Sequence, residues 1–209
     1  MSDPIRRGVA DYYTARVLEY GETARGVDWN SEASQALRFD TLLELVRGEH
    51  QFSLLDWGCG YGALLEHLRA RARPCRYTGF DLAEEMVARA RRRHSDDPDA
   101  VFTWVESDLR PHDFILASGI FNVKLSVPEA EWREYVLGVL RALDANSNRG
   151  FAFNLLSLYS DPRKRRETLY YADPGEVFDF CKRHFSPRVA LLHDYPLYEF
   201  TVLVRKDPA

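Results

Sequence analysis

The most constraining stretch of this chain is Leu54-Leu55-Asp56-Trp57-Gly58-Cys59-Gly60-Tyr61-Gly62-Ala63-Leu64-Leu65-Glu66-His67-Leu68. An apolar run of strand length meets three glycines at alternate positions, and apolar residues at helical spacing follow at once. Strand, tight turn and helix in that order build a ligand site. Glycine permits backbone dihedrals that a side chain forbids and lets a ligand approach the main chain, and the start of the helix offers unpaired N–H groups. Asp56 stands two residues before the first glycine, where a carboxylate reaches a ligand lying over the turn.

Asp56-x-Gly58-x-Gly60-x-Gly62 after an apolar strand resembles motif I of the class I S-adenosylmethionine (SAM)-dependent methyltransferases. In that family the loop holds the amino-acid part of SAM. Gly58-x-Gly60-x-x-Ala63 also satisfies the looser dinucleotide fingerprint, with Asp81 at about the right distance beyond it, so the turn alone leaves an NAD(P)-dependent oxidoreductase open. Asp56, the later motifs and the way the chain ends favour SAM.

A length of 209 residues suits one α/β domain with an N-terminal extension. Hydrophobic residues at 45% and charged residues at 29% are the composition of a globular protein, and no apolar run approaches the roughly 20 residues that cross a bilayer. The start, Met1-Ser2-Asp3-Pro4-Ile5-Arg6-Arg7, has no apolar segment of an export signal. Three cysteines, Cys59, Cys75 and Cys181, lack redox or metal-ligand spacing, so reduced thiols in a cytoplasm are expected and no metal site is. A formal net charge of −4 argues against a nucleic-acid partner.

Residues 1–47 read as a helical extension and 48–209 as the cofactor-binding domain. In the extension, Ala10 to Thr14 and Ser34 to Val46 are helical in pattern, and the glycine-marked segment Tyr20 to Ser31 is a loop. In the resembling family such an extension lies over the SAM pocket and helps form the acceptor site. Tyr12, Tyr13 and Trp29 accordingly have two readings, packing against the sheet domain or contact with substrate.

Arg76 to Leu82 is a second strand ending in an acid, followed by a helix from about Ala83 to His94. The resemblance implies that Asp81 accepts hydrogen bonds from both ribose hydroxyls, and that Leu82 packs near the adenine. Val101 to Leu109 is expected as the third strand. Asp108 and Leu109 at its end resemble the adenine clamp, with Glu106 the alternative acid. The fourth strand, Asp113 to Ser118, runs into a loop that faces the SAM methyl group in the family, which makes Ser118, Gly119, Phe121 and Asn122 candidates there. A helix from Pro128 to about Leu143 and a fifth strand, Gly150 to Leu156, follow. Asp173-Pro174 starts a last helix, and two β-rich runs, Arg188 to Tyr195 and Tyr198 to Val204, end the chain. A short turn between them makes the pair antiparallel, which is how the resembling family ends.

The alternation of strands and helices gives the α/β class. The resemblance implies a seven-stranded, mostly parallel sheet of order 3-2-1-4-5-7-6, the last strand antiparallel, with helices on both faces. Its cofactor is SAM, its product S-adenosylhomocysteine (SAH), and its acceptor here is expected to be a small molecule methylated at oxygen. Arg38, on the helix before motif I, is the candidate partner of the SAM carboxylate; the alternative is a solvated helix arginine. His193, Tyr13 and Asn122 are the candidate catalytic residues, His193 having the alternative of simple packing. Arg163-Lys164-Arg165-Arg166 and Arg91-Arg92-Arg93 read as solvated surface, or, for the first run, as attraction for an anionic acceptor. A SAM-binding protein that serves as a partner or sensor without catalysis stays open as well.

Overall fold

The structure, a computed structural model, describes residues 4–207. Seven strands form one sheet in the order β3-β2-β1-β4-β5-β7-β6. Parallel pairing joins β1 (Ser53–Trp57), β2 (Arg76–Phe80) and β3 (Ala100–Thr103), and likewise β4 (His112–Ala117) and β5 (Ser147–Leu156). The closing strand β7 (Glu199–Arg205) runs antiparallel to both β5 and β6 (Arg188–Leu192). This is the expected order and the expected reversal.

The chain divides into two compact units. The first comprises the residues up to Asp40 with Gly48–Arg110. Its helices are α1 (Pro4–Tyr20), most of α2 (Glu32–Leu42), α3 (Ala63–Ala70) and α4 (Glu84–Arg93). The segment expected as a separate extension, residues 1–47, thus contributes its first part to the unit that holds the glycine turn. Leu64, Leu65 and Leu68 of α3 and Met86, Val87 and Ala90 of α4 are buried at the three- and four-residue spacing of a single helix face. Acidic Glu84 and Glu85 open α4 and Arg91, Arg92 and Arg93 close it, an arrangement that complements the helix dipole.

The second unit comprises Thr41–Arg47 with the chain from Pro111 onward. It contains α5 (Glu129–Asn146) and α6 (Pro174–His184). Trp132, Val136, Leu140 and Leu143 form the buried stripe of α5, and the Trp132 indole N–H donates to the Phe121 carbonyl at 2.9 Å. Asp173 caps α6 by accepting from the N–H groups of Gly175 and Glu176 at 2.7 and 3.2 Å. Gly150 to Leu155 of β5 and Glu199 to Val204 of β7 are buried, as strands in the interior of a sheet must be.

Two elements differ from the sequence reading. Strand β3 ends at Thr103, where the Thr103 hydroxyl accepts the Val105 N–H at 3.0 Å and turns the chain into a short 3-10 helix, Glu106–Asp108. Asp108 therefore stands in an exposed turn and not at a strand end. Strand β6 ends at Leu192, short of Tyr195; Pro196 lacks an N–H for the ladder, and Leu197 N–H closes a turn on the Tyr195 carbonyl at 2.8 Å.

Candidate functional site

The glycine turn follows β1, and Gly58, Gly60 and Gly62 all take positive φ, at 86°, 54° and 88°. Alternate left-handed residues explain the alternate glycines. At Gly62 a Cβ would also lie 2.5 Å from His94 Nε2, and that ring stacks on Phe102 at 5.5 Å. The turn thus needs glycine for its backbone and for its neighbour.

Two carboxyl groups flank the turn, Asp56 buried and Asp81 half-buried. Asp81, just past β2, accepts the N–H of Gly60 through Oδ2 and that of Ala83 through Oδ1, both at 2.9 Å. Burial raises its pKa, and the N–H donors of Ala83, Gly60 and Leu82 oppose the rise. A carboxylate has about four lone-pair directions, so these bonds fix its orientation without exhausting its acceptors. Asp56 is 2% exposed and accepts the Tyr77 hydroxyl at 2.5 Å. Burial pushes the Asp56 carboxyl up to about 7, the Tyr77 bond opposes that rise and the Asp81 charge adds to it.

The N-terminal residues cover this turn. Val27 lies so close that a Cβ on Gly60 would meet its Cγ1 at 3.1 Å, and Gln35 of α2 bonds the Tyr61 hydroxyl. Arg38, one helical turn beyond Gln35, is 6% exposed, donates to the Ser34 carbonyl at 2.8 Å and sits 3.9 Å over the Trp29 ring. It is a buried cation and not a solvated one. Tyr13 packs against Val17, Ala83 and Met86, and burial with the charges of Asp28 and Asp81 raises its pKa, so its phenol is a neutral donor. Tyr12 and Arg16 hold Asp28 from the same helix, at 2.9 and 2.8 Å, although Asp28 itself takes a left-handed φ of 63°.

Asp56, Gly58, Gly60, Gly62 and Asp81 are thus brought together, with half-buried Leu82 beside Asp81 and with Tyr13 and Arg38 on the covering segments. Among the described residues, exposed Asp108 and half-buried Leu109 are not bonded to that group, and Glu106 pairs with Arg6. The sequence reading missed Tyr77, Gln35 and Asp28. Only the periodicity that puts Tyr77 on β2 was visible beforehand.

The remaining candidates belong to the second unit. Ser118 follows β4, and its buried hydroxyl has no hydrogen-bond partner among the described residues. Gly119, at φ 73°, donates its N–H to Asn154 Oδ1 at 2.6 Å, and the Asn154 amide donates to the fully buried Glu199 at 3.1 Å. Asn122 is 5% exposed, and its amide oxygen accepts the Leu156 N–H at 3.2 Å, a strut between the loop after β4 and the end of β5. His193 is exposed just past β6, its ring 5.9 Å from that of Tyr159 and 6.0 Å from that of Phe200. Among the described residues no group of three or more His, Cys, Asp or Glu side chains could hold a metal ion, and no helix is long and apolar enough to cross a membrane.

A glycine turn at the carboxyl end of β1, an acid at the end of β2 and a reversed last strand define a Rossmann-like protein that binds an adenosyl cofactor. Comparison with known proteins carries this further. A family model described as a methyltransferase domain matches residues 54–146. Rv1506c of Mycobacterium tuberculosis strain H37Rv, which carries a provisional methyltransferase name, is 49% identical over 164 residues, covering 78% of this chain and 99% of that one. The chain belongs to the class I SAM-dependent methyltransferase family. Magnesium protoporphyrin IX methyltransferase from Synechocystis PCC 6803, crystallised with SAM, shares the fold at a TM-score of 0.69 with 15% identity, over 98% of this chain and 99% of that one. The N-methyltransferase NodS of Bradyrhizobium japonicum WM9 shares it at 0.61, with 15% identity, over 85% and 98%. The cofactor is SAM, and the nicotinamide alternative is set aside.

Proposed function

We propose that this methyltransferase acts on a small, anionic acceptor and methylates oxygen. The residues that would hold SAM are the glycine turn, Asp81 at the ribose hydroxyls, Arg38 at the carboxylate, and Asp56 near the ammonium group; Leu82 and the Asp108–Leu109 turn would flank the adenine. Bound there, SAM supplies a methyl group on a sulfonium, which is already activated for transfer. The protein's part is to orient the reactants and exclude water. Residues 4–40 serve as the cap over the cofactor, with the neutral Tyr13 phenol as a hydrogen-bond donor beneath it.

The observation that supports the oxygen reading is the sequence that follows β4, Ala117-Ser118-Gly119-Ile120-Phe121-Asn122, which lacks the Asn-Pro-Pro-Tyr or Asp-Pro-Pro-Tyr type motif that marks amino-group methylation of adenine or glutamine. A carboxylate or phosphate oxygen needs no base, and His193 becomes necessary only for a hydroxyl acceptor. Three buried free thiols, Cys59, Cys75 and Cys181, suit a reducing cytoplasm.

The test is titration with SAM and SAH beside the Asp81→Ala variant, followed by SAM turnover with pools of carboxylate, phosphate, hydroxyl and amine compounds. Product mass and lability to mild base identify the methylated atom. Turnover with amines alone overturns the oxygen assignment, and SAM binding without turnover in any pool favours a sensor.

A further inference from the structure

The second unit carries an unusual surface between β5 and α6. Residues 157–173 connect those elements, a long connection interrupted only by the 3-10 turn Pro162–Lys164, and connections of such length are often functional. The segment is nonetheless tied down. Lys124 and Leu125 both donate backbone N–H bonds to the Thr168 carbonyl at 3.0 Å, and Tyr170 donates to the Asn122 carbonyl at 2.8 Å. Ser157 N–H and the Ser160 hydroxyl reach the Tyr198 carbonyl at 3.0 and 3.1 Å, so the 193–198 loop is fixed to the same segment.

Four consecutive cations lie on it, and they divide into two kinds. Arg165 donates to the Leu158 and Ser160 carbonyls and lies 5.4 Å over the Tyr171 ring. Lys164 sits 5.0 Å over the Tyr198 ring. These two hold the surface together. Arg163 and Arg166 are exposed, and among the described residues neither guanidinium has a partner. In the other arginine run, by contrast, Arg91 binds the Phe102 carbonyl at 2.6 Å and Arg93 pairs with Glu66 at 2.5 Å.

Exposed aromatic rings belong to the same two segments. Tyr159 is 76% exposed with its ring near that of His193, and Tyr198 is 47% exposed with the Lys164 ammonium over one side of its ring. Large exposed rings are costly to hydrate, and a tyrosine face held by neighbours stacks on a flat ring with little ordering cost. Guanidinium groups match phosphate oxygens in charge and in fork geometry.

We propose that residues 157–171 and the 193–198 loop form a binding site for a phosphate ester that carries a ring, a glycosyl or nucleoside phosphate. Arg163 and Arg166 hold the phosphate, and Tyr159 and Tyr198 stack the ring. That this ligand is the methyl acceptor rests on the function proposed above; that it binds here does not.

The experiment is calorimetric titration of the full chain with glucose 1-phosphate, uridine monophosphate, inorganic phosphate and glucose. The proteins are wild type, the Arg163→Gln/Arg166→Gln double variant, Tyr159→Ala, and Arg92→Gln as a charge control, each checked for unchanged SAM binding. Saturable binding of either ester at least tenfold tighter than phosphate or glucose is expected. A tenfold loss in the double variant and a threefold loss in Tyr159→Ala should accompany it, with Arg92→Gln unchanged. The preferred ester distinguishes a glycosyl from a nucleoside ligand. Esters no tighter than phosphate, or a double variant that binds as wild type does, overturn the site. Because SAM binding is read separately, that result leaves the cofactor assignment standing, and a failed SAM titration leaves this site standing.

Discussion

The two units hold their polar residues in opposite ways. In the first, Asp81 is oriented by backbone N–H groups of the glycine turn and of α4, and it keeps acceptor capacity in reserve. In the second, the buried polar side chains are engaged within the fold: Asn122 accepts the Leu156 N–H, and Asn154 accepts the Gly119 N–H and donates to Glu199. On the function proposed above, the first is a cofactor cradle, and the second is a hydrogen-bonded frame with the proposed acceptor surface outside it, on the exposed cations and rings. A common cofactor and a particular acceptor ask for that difference, because the cradle meets the same molecule in every member of the family.

The comparison can be broken at either side. The largest effect is expected for Asp81→Ala, which removes the charged acceptor: SAM affinity should fall about 100-fold by calorimetry, since bonds to a charged group contribute about 1.5–3 kcal/mol each. Asn154→Ala should do the reverse. It leaves the Gly119 N–H and Glu199 short of a buried partner, so stability in denaturant should fall by about 2–3 kcal/mol while SAM affinity stays within twofold. A large loss of SAM affinity there would show that the frame and the cradle are not separable. Gly62→Ala should cost about 2 kcal/mol, because the left-handed backbone is strained by a side chain and His94 must move.

Asp56 sharpens the contrast through pH. Its carboxyl is raised from the ordinary value of 3.8 to about 7, so the folded state binds a proton that the unfolded state has released between those values. Its contribution to stability is full below pH 4 and is lost as pH rises through about 7. Asp56→Asn, which resembles the protonated form, should flatten the fall in stability between pH 4 and 7, by an amount on the order of a few kcal/mol. An unchanged pH profile would mean that the carboxyl is not raised. The smallest effect is expected at His193, which is exposed and lies beside the rings of Tyr159 and Phe200. His193→Ala should change stability by less than about 0.5 kcal/mol, and should slow turnover of a carboxylate or phosphate acceptor by less than threefold; a larger loss would make it a base.

Much of the first unit was legible beforehand because its signals are local. Alternate glycines announce left-handed residues, and an acid two residues after Gly79 announces the end of β2. Asp108 shows the limit: its place at a strand end assumed that β3 continued, and a threonine hydroxyl bonding its own chain ended the strand at Thr103. Arg38 shows another, because nothing in a helical pattern tells a solvated arginine from one buried under Trp29.

By itself, then, the sequence determined the strand and helix alternation, the glycine turn, the two carboxyl groups beside it and the antiparallel ending, all carried by residues near one another in the chain. Tertiary structure alone decided that Tyr77 engages Asp56, that Tyr12 and Arg16 hold Asp28, that Asn122 is a strut, and that two of four adjacent cations are left unpaired. Each of those outcomes depends on which distant group occupies the neighbouring space, and hydrogen-bond partners brought together by packing leave no period or spacing in the chain that precedes it.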